Sequence, residues 1–520
     1  MGPSSPEHPP VNPWIVAVAV MFATFMEVLD TTVVNVSLPH IAGSLSASVD
    51  EAAWALTSYL VANAVILPMT GWIANFFGRK RTLLAAVFGF TAASFLCGLA
   101  PNLQMLIVFR VIQGATGGAL QPLSQAVMLE AFAPKDRGKA MAFWGLGIVV
   151  APMLGPVVGG WLTDNYSWRW VFYINLPVGL ASIIMTRLFI FDPPYIRRSS
   201  GGIDYWGMGM LAVGVGALQV VLDKGQEEDW FASNWISVLG VVAVVGIAAF
   251  IFHEIRTRDP VVHLRVFKDR TYAAGVFLMT IVGFVLYGSL LLLPIFLQTL
   301  LGYPALDAGF AMAPRGLGSF LMMPIVGTVL GRFDPRKVLG AGLVGAAWTL
   351  YALSKLNLNA GYWDIFWPQF IQGATLAMLF VPLTTTTMDP IPREEMGNAT
   401  SMFNLMRNIG GSVGIASATT YLFRRQQFQT HVLGADVTAS NPQTQVYLRG
   451  LESVMKAHGA DPVTAQHQAY GMIWGMVQRH AAMGAFVDTF RAMAVVFLLV
   501  LPLLLLMKRP QHHGPPGGMH

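Results

Sequence analysis

Cysteine is almost missing from this chain: Cys97 is the single one in 520 residues, so no intrachain disulfide can form. Charge is scarce as well. Asp, Glu, Lys and Arg make up 11% of the residues, under half the ~25% usual in a soluble domain, which excludes a water-soluble fold. No Gly-rich phosphate-binding loop ending in Gly-Lys-Ser/Thr occurs, so ATP is not expected to supply energy. The eleven histidines show no metal-ligand spacing, and no catalytic constellation of a soluble enzyme appears. The stretch before Trp14 has no Lys or Arg. It lacks the basic start of a cleaved signal peptide, so the first apolar run is expected to stay as a helix.

What is present is apolar: 54% of the residues are hydrophobic and the mean hydropathy is +0.56. A spanning helix needs about 20 mostly apolar residues. Fourteen runs qualify, at 14–38, 52–75, 82–100, 103–131, 138–163, 169–190, 204–222, 234–253, 272–299, 305–331, 337–355, 362–388, 398–421 and 487–507. With the N-terminus inside, the short inner segments hold nineteen Lys and Arg and the short outer loops three. That bias predicts both termini in the cytoplasm and explains the basic balance without nucleic acid. One outer segment, 422–486, is long and polar, with helical stretches at Gln443–His458 and Pro462–Arg479. It reads as an extracytoplasmic helical excursion.

The chain also repeats itself. Ile112-Gln-Gly-Ala-Thr116 recurs unchanged at Ile371-Gln-Gly-Ala-Thr375, and Pro122-Leu123 recurs at Pro382-Leu383. Gly71–Arg81 is similar to Gly327–Lys337, and Gly138-Lys-Ala140 to Gly397-Asn-Ala399. The offset stays between 256 and 260 throughout. The expected fold is therefore an all-α polytopic membrane protein of two six-helix bundles. The bundles are 14–200 and 261–508, the second holding 422–486; two linker helices lie at 201–260, and tails at 1–13 and 509–520. Parallel repeats of this kind place a substrate site near the bilayer midplane, between the halves.

Charges inside the apolar runs mark candidate sites, because each costs roughly 2.5–3.5 kcal/mol at the bilayer centre on insertion scales. Glu27 and Asp30 are the only charged residues between Pro13 and His40, and their spacing puts them on one helix face. A desolvated carboxylate suits taking a proton from one side and releasing it to the other. Arg110 is the only basic residue between Pro101 and Pro134, and Glu130 ends the same run. Arg110 is either a coupling partner of the two carboxylates or a structural tie between helices. Arg315 and Arg407 lie in runs of the second half, where each either has an acidic, carbonyl or anionic-substrate partner or sits near a helix end with its charged head reaching the interface. Asn35, Gln113, Gln121, Gln125, Tyr287, Gln298, Gln372 and Asn404 are the intramembrane polar groups available to a substrate, with Arg407. The 27 Met and 32 Phe add the soft surface that promiscuous binding favours. Gly147, Ala151, Gly155 and Gly159 form a small-residue stripe that admits a close helix, interrupted by Pro152 and Pro156.

Several of these motifs together resemble the major facilitator superfamily, in its fourteen-helix drug:proton antiporter branch of EmrB-type pumps. Leu29-Asp-Thr-Thr-Val-Val-Asn-Val-Ser-Leu-Pro39 is similar to the first-helix motif of that branch. Gly71–Arg81 resembles the superfamily's loop between helices two and three, and Arg110 with Gly114 its fourth-helix motif. Gly147–Gly160 resembles the antiporter motif, and Trp168–Pro177 and Arg407-Asn-Ile-Gly-Gly-Ser412 two further motifs of the branch.

The resemblance implies a proton-coupled exporter of hydrophobic or amphipathic drugs in the bacterial inner membrane, driven by the proton gradient with no cofactor. It implies Asp30 as the coupling acid and links the position of Arg110 to proton transfer; Glu27 and Glu130 are further candidates from their own placement, Glu130 being equally a relay member or a solvated helix end. It implies a cytoplasmic gate at Gly71, Asn75, Gly78, Arg79 and Arg332. The superfamily loop usually has Asp where this chain has Asn75, which cannot form the ion pair; the second copy has Gly331 there and Asp334 later. The implied partners are a periplasmic EmrA-like adaptor and an outer-membrane TolC-like channel, with 422–486 as the adaptor contact. Open alternatives are a dedicated exporter of one metabolite, such as a fatty acid or siderophore, and a non-transporting receptor or enzyme.

Overall fold

The computed structural model describes residues 12–192, 204–257, 260–330, 332–438 and 440–507. Among them no strand occurs. The helices of the first half are α1 (Pro13–Ser44), α2 (Val49–Phe77), α3 (Arg79–Leu99), α4 (Leu103–Gly117), α5 (Leu120–Ala131), α6 (Arg137–Asn165), α7 (Trp170–Tyr173) and α8 (Asn175–Phe189). Then come the inserted pair α9 (Tyr205–Lys224) and α10 (Asn234–Arg256). The second half has α11 (Arg270–Ile295), α12 (Ala305–Val329), α13 (Pro335–Leu353), α14 (Tyr362–Met388), α15 (Met396–Ala435), α16 (Pro442–Ala457) and α17 (Pro462–Leu499). A helix or helix pair covers each of the fourteen apolar runs. Eleven stretches are long and apolar enough to cross a membrane by length and composition. α12, α13 and α15 are not among those eleven. The terminal tails, save residues 12 and 13, and Gly331 lie outside the described residues.

Local chemistry sets the helix starts. Ser48 and Glu51 form a reciprocal capping box at α2, with Ser48 N donating to Glu51 Oε2 (2.8 Å) and Glu51 N to Ser48 Oγ (3.2 Å). Asn102 accepts from Met105 N (2.9 Å) at α4, and Asp269 from Thr271 N (2.8 Å) at α11. The run 103–131 is divided into α4 and α5 at Gly117 and Gly118, a break the sequence reading did not anticipate.

The two halves pack alike. α2 lies on α4 and α1 on α6 in the first; α12 lies on α14 and α11 on α15 in the second. The repeated Ile-Gln-Gly-Ala-Thr run serves both. A Cβ on Gly114 would sit 2.3 Å from Tyr59 O of α2, and one on Gly373 would sit 1.7 Å from Arg315 O of α12. Only a residue without Cβ lets these helices meet backbone to backbone. The small stripe of α6 receives α1, with Gly155 against Thr32 and Gly159 against Val33. Between halves, α6 packs on α12 and α2 on α15. At the end carrying the basic loops these contacts reach backbone level: Gly71 meets Asn398, and Gly138 meets Gly327.

The polar segment 422–486 is built differently from a separate excursion. α15 continues to Ala435 and α17 begins at Pro462, so most of the segment prolongs two bundle helices, with α16 between them. Arg425 Nε donates to Asp488 Oδ2 (2.8 Å), tying the two prolongations together. Polarity ends a membrane run without ending a helix, which is why the expected boundaries at 422 and 486 fall inside helices.

Gly373→Ala is expected to lower the thermal unfolding temperature of detergent-solubilised protein, because overpacking costs about 1–3 kcal/mol. Gly160→Ala, where nothing lies within 4 Å of the added carbon, should leave it unchanged or raise it. Equal effects of the two substitutions would refute the close-packing role.

Candidate functional site

α1 brings two carboxylates into the protein, and they serve different networks. Asp30 is fully buried in the core of the first half. Its Oδ2 accepts from Arg110 Nη1 of α4 (2.6 Å), and its Oδ1 accepts from Gln113 Nε2 (2.9 Å) and Asn175 Nδ2 of α8 (2.8 Å). Arg110, equally buried, also donates through Nε to Ala55 O of α2 (3.0 Å) and through Nη1 to Gln113 Oε1 (2.8 Å). Its guanidinium lies 4.2 Å from the Tyr59 ring centroid, a cation–π contact. Asn175 reaches Ser94 Oγ (3.0 Å) as well. Four helices thus converge on one ion pair, every acceptor lone pair of which matters in a dry core.

Glu27, one turn away, is held at the seam between the halves. It accepts from Asn63 Nδ2 of α2 (3.1 Å) and from Gln121 Nε2 of α5 (2.5 Å). The other end of Gln121 accepts from Arg407 Nη2 of α15, in the second half. Alongside, Asn404 Nδ2 donates to Gln125 Oε1 (2.5 Å) and Thr400 Oγ1 to Pro122 O (3.1 Å), both across the seam. Arg407 is buried, and among the described residues its Nε and Nη1 make no hydrogen bond. Arg110 was a candidate partner of both carboxylates; it pairs with Asp30, while Glu27 looks toward Arg407.

A third group sits at the basic end. Gly78, with φ of 94°, turns the chain sharply between α2 and α3, a backbone state that favours glycine. The turn aims Arg79 into the protein, where it is buried and ion-paired with Glu130. Arg79 Nη2 also donates to Arg393 O of the second half (3.4 Å). Glu130, expected beside the proton-coupling residues, therefore stands with the gate residues instead. Asn75 is half-buried, and its side chain makes no hydrogen bond among the described residues. Arg332 is exposed and joins none of these groups, while Asp334 caps α13 by accepting from Arg336 N (3.1 Å).

The polar residues considered for substrate binding do not line one cavity. Gln113 belongs to Asp30, Gln121 to Glu27, and Gln125 to Asn404. Gln372 is buried in the second half, where Gln369 Nε2 donates to its Oε1 (3.1 Å). Tyr287 is half-buried against Gly411, and Asn35 and Gln298 are exposed. Asn63, Asn175 and Ser94 were missed. Asn175 carried a signal, being the sole amide in the run Trp168–Pro177, but nothing in its spacing pointed at Asp30.

Removing one member of a buried pair strands the other, which costs roughly 3–5 kcal/mol in soluble proteins. Arg110→Gln is expected to be less stable in detergent than the double variant Asp30→Asn with Arg110→Gln, read by thermal unfolding. A double variant as unstable as the single would show that Arg110 is held by something other than Asp30.

Comparison with known proteins agrees with this architecture. A family model, the Major Facilitator Superfamily, matches residues 20–415. The chain is 37% identical to the fatty acid resistance protein FarB of Neisseria gonorrhoeae, covering 99% of this chain and 100% of that one. It is 37% identical to the multidrug export protein EmrB of Escherichia coli K12, covering 97% of each. Among solved structures it is similar to the human organic anion transporter MFSD10, with a TM-score of 0.61 over 96% of this chain and 100% of that one, at 14% identity.

Proposed function

The chain belongs to the Major Facilitator Superfamily as an EmrB-like efflux transporter, and from that premise we propose that it exports hydrophobic and amphipathic drugs in exchange for protons. The observation that carries this reading is the Asp30–Arg110 pair, buried without exposure and held by donors from α4 and α8. A carboxylate in that setting couples proton binding to helix packing. When Asp30 takes a proton, Arg110 loses its counter-charge in a dry core and must find a new arrangement. Glu27 extends the coupling to the seam: while charged it holds Gln121, and Gln121 holds Arg407. Protonated, it accepts less strongly, and the bond between the halves weakens.

In this scheme the structure is the outward-facing state, closed at the basic end by Gly71 on Asn398, Gly138 on Gly327 and Arg79 on Glu130 and Arg393. Protons enter from outside, loosen this closure, and leave to the cytoplasm as the halves rock. The proton gradient is the energy source and no cofactor takes part; each charge moved through 100 mV contributes about 2.3 kcal/mol. α12, α13 and α15 complete fourteen crossings of the bacterial inner membrane, with both termini cytoplasmic. A periplasmic EmrA-like adaptor and an outer-membrane TolC-like channel extend the path, with the adaptor meeting the outer ends of α15 and α17 and the helix α16. A second reading, export of one fatty acid-like metabolite, is favoured by the name of the relative FarB and by the unpaired Arg315 in the second half.

In proteoliposomes carrying a pH-sensitive dye, substrate addition should drive proton flux with wild type. Asp30→Asn should abolish that flux, and Glu27→Gln should reduce it; coupling left intact by Asp30→Asn would end the proposal. The adaptor contact is tested separately by replacing Asp436–Asp461 with a short Gly/Ser linker. Deleting all of 422–486 would cut into α15 and α17. The linker variant should keep proton flux in proteoliposomes and lose export across the outer membrane in cells. Unchanged cellular export with the adaptor present would remove this segment from the contact.

A further inference from the structure

The second half contains a cation that no described residue neutralises. Arg315, on α12, is 5% exposed. Among the described residues its side chain makes no hydrogen bond and no ion pair. Its backbone is fixed: its carbonyl is pressed against Gly373, and one turn on Ser319 Oγ donates to Gly373 O (2.8 Å). The guanidinium borders a narrow gap inside the bundle, together with Ser289 of α11, Gln372 of α14, and apolar Leu286, Leu376 and Phe497.

The repeat explains why this is unusual. In the first half the corresponding core holds Asp30 and Arg110, each answering the other. At offsets of 256 to 259 from Asp30 the second half has Leu286, Tyr287, Gly288 and Ser289, none acidic. At 259 from Arg110 it has the neutral Gln369. The arginine has moved to α12, at 256 from Tyr59, and its acid has gone. A buried guanidinium without a counter-charge is costly, whereas one that meets an anion gains charge-assisted hydrogen bonds.

We propose that Arg315 anchors the anionic headgroup of an amphipathic organic acid carried by this protein, with Gln372 and Ser289 as neighbouring polar groups and the apolar lining beside them. The proposal rests on the export reading above and assigns a substrate class to it. The gap measures about 20 Å³, room for about one water, so the headgroup of such a molecule enters as the lining side chains part, with its chain left to the apolar residues beside them.

The test uses full-length protein in proteoliposomes with the pH dye, in gluconate buffer. The probes are decanesulfonate, which stays charged and cannot carry a proton itself, and decyltrimethylammonium. Wild type should show proton flux with the sulfonate. Arg315→Gln should weaken the apparent affinity for sulfonate relative to ammonium roughly ten- to hundredfold, the range for a lost charge-assisted bond, while Arg315→Lys should retain most of the preference. Wild type that moves only the ammonium overturns the inference, as does Arg315→Gln lowering both probes equally or neither. Chloride that stimulates ammonium-driven flux in wild type and not in Arg315→Gln, with sulfonate inert, would make an inorganic ion the occupant and overturn it too. If neither probe drives proton flux in wild type, the export reading itself fails, which distinguishes the two.

Discussion

An ion pair without solvent cannot tolerate loose neighbours. Asp30 and Arg110 are both fully buried, so each remaining lone pair and N–H is worth far more than at a surface. That requirement fixes Gln113, Asn175 and the Ala55 carbonyl in place, and with them the relative positions of α1, α2, α4 and α8. The backbone contact of Gly114 with Tyr59 brings α4 close enough to α2 for Arg110 to reach Ala55 O and stack on the Tyr59 ring. Substituting the glycine would move the arginine. Packing and electrostatics in this half are one constraint seen twice.

Both repeats obey the same packing rule with different charge content. Glycine at 114 and 373 brings an equivalent helix pair into contact, so the two bundles share a shape. The first bundle fills its core with a matched pair, the second with an arginine alone, and a third arginine, Arg407, lies at the seam with two of its nitrogens unbonded. Under the proposed exchange of drug for protons the two arrangements serve differently: the matched pair acts as an internal switch, because changing one member by a proton is felt by the other, and the unmatched charge asks for a partner from outside the chain.

Most of the helix pattern was legible because runs of about 20 apolar residues leave little else for the chain to do. One crossing was legible too, since the small stripe from Gly147 to Gly159 marked α6 as admitting a close helix; the recurring glycines at 114 and 373 showed the repeat but not that two backbones meet there. Asp30 and Arg110 stood out as charges in costly places. What the sequence withheld was the choice of partner. Glu27 and Asp30 are three residues apart and share a broad face, yet some 60° of rotation separates them. That is enough to send one toward α4 and α8 and the other toward α2 and α5. The partners lie 36 to 145 residues along the chain, and no local periodicity encodes them. Glu130 shows the same limit: a carboxylate at a helix end carries no local sign of the turn at Gly78 that aims Arg79 at it. Of the polar residues considered for a substrate, Gln113, Gln121, Gln125 and Gln372 are each bonded to another polar side chain, a pairing their spacing does not reveal.

The inserted helices belong to the same argument. α9 packs on α2 and, through polar contacts, on α15. Asp223 accepts from Thr57 of α2, Gln219 Nε2 donates to Ser412 Oγ of α15 (3.0 Å), and Thr420 Oγ1 of α15 donates to Gln226 Oε1 just beyond α9 (2.6 Å). α2 and α15 are the helices that meet at Gly71 and Asn398 across the seam. One helix outside both bundles therefore holds the two elements whose separation would open the basic end. Gln219 lies within the apolar run 204–222, where lipid offers no water to replace its bond, while Asp223 and Gln226 stand just past the end of that run. Any rocking of the halves must keep these bonds as a pivot or exchange them in step, and a helix pair that only filled space would carry none.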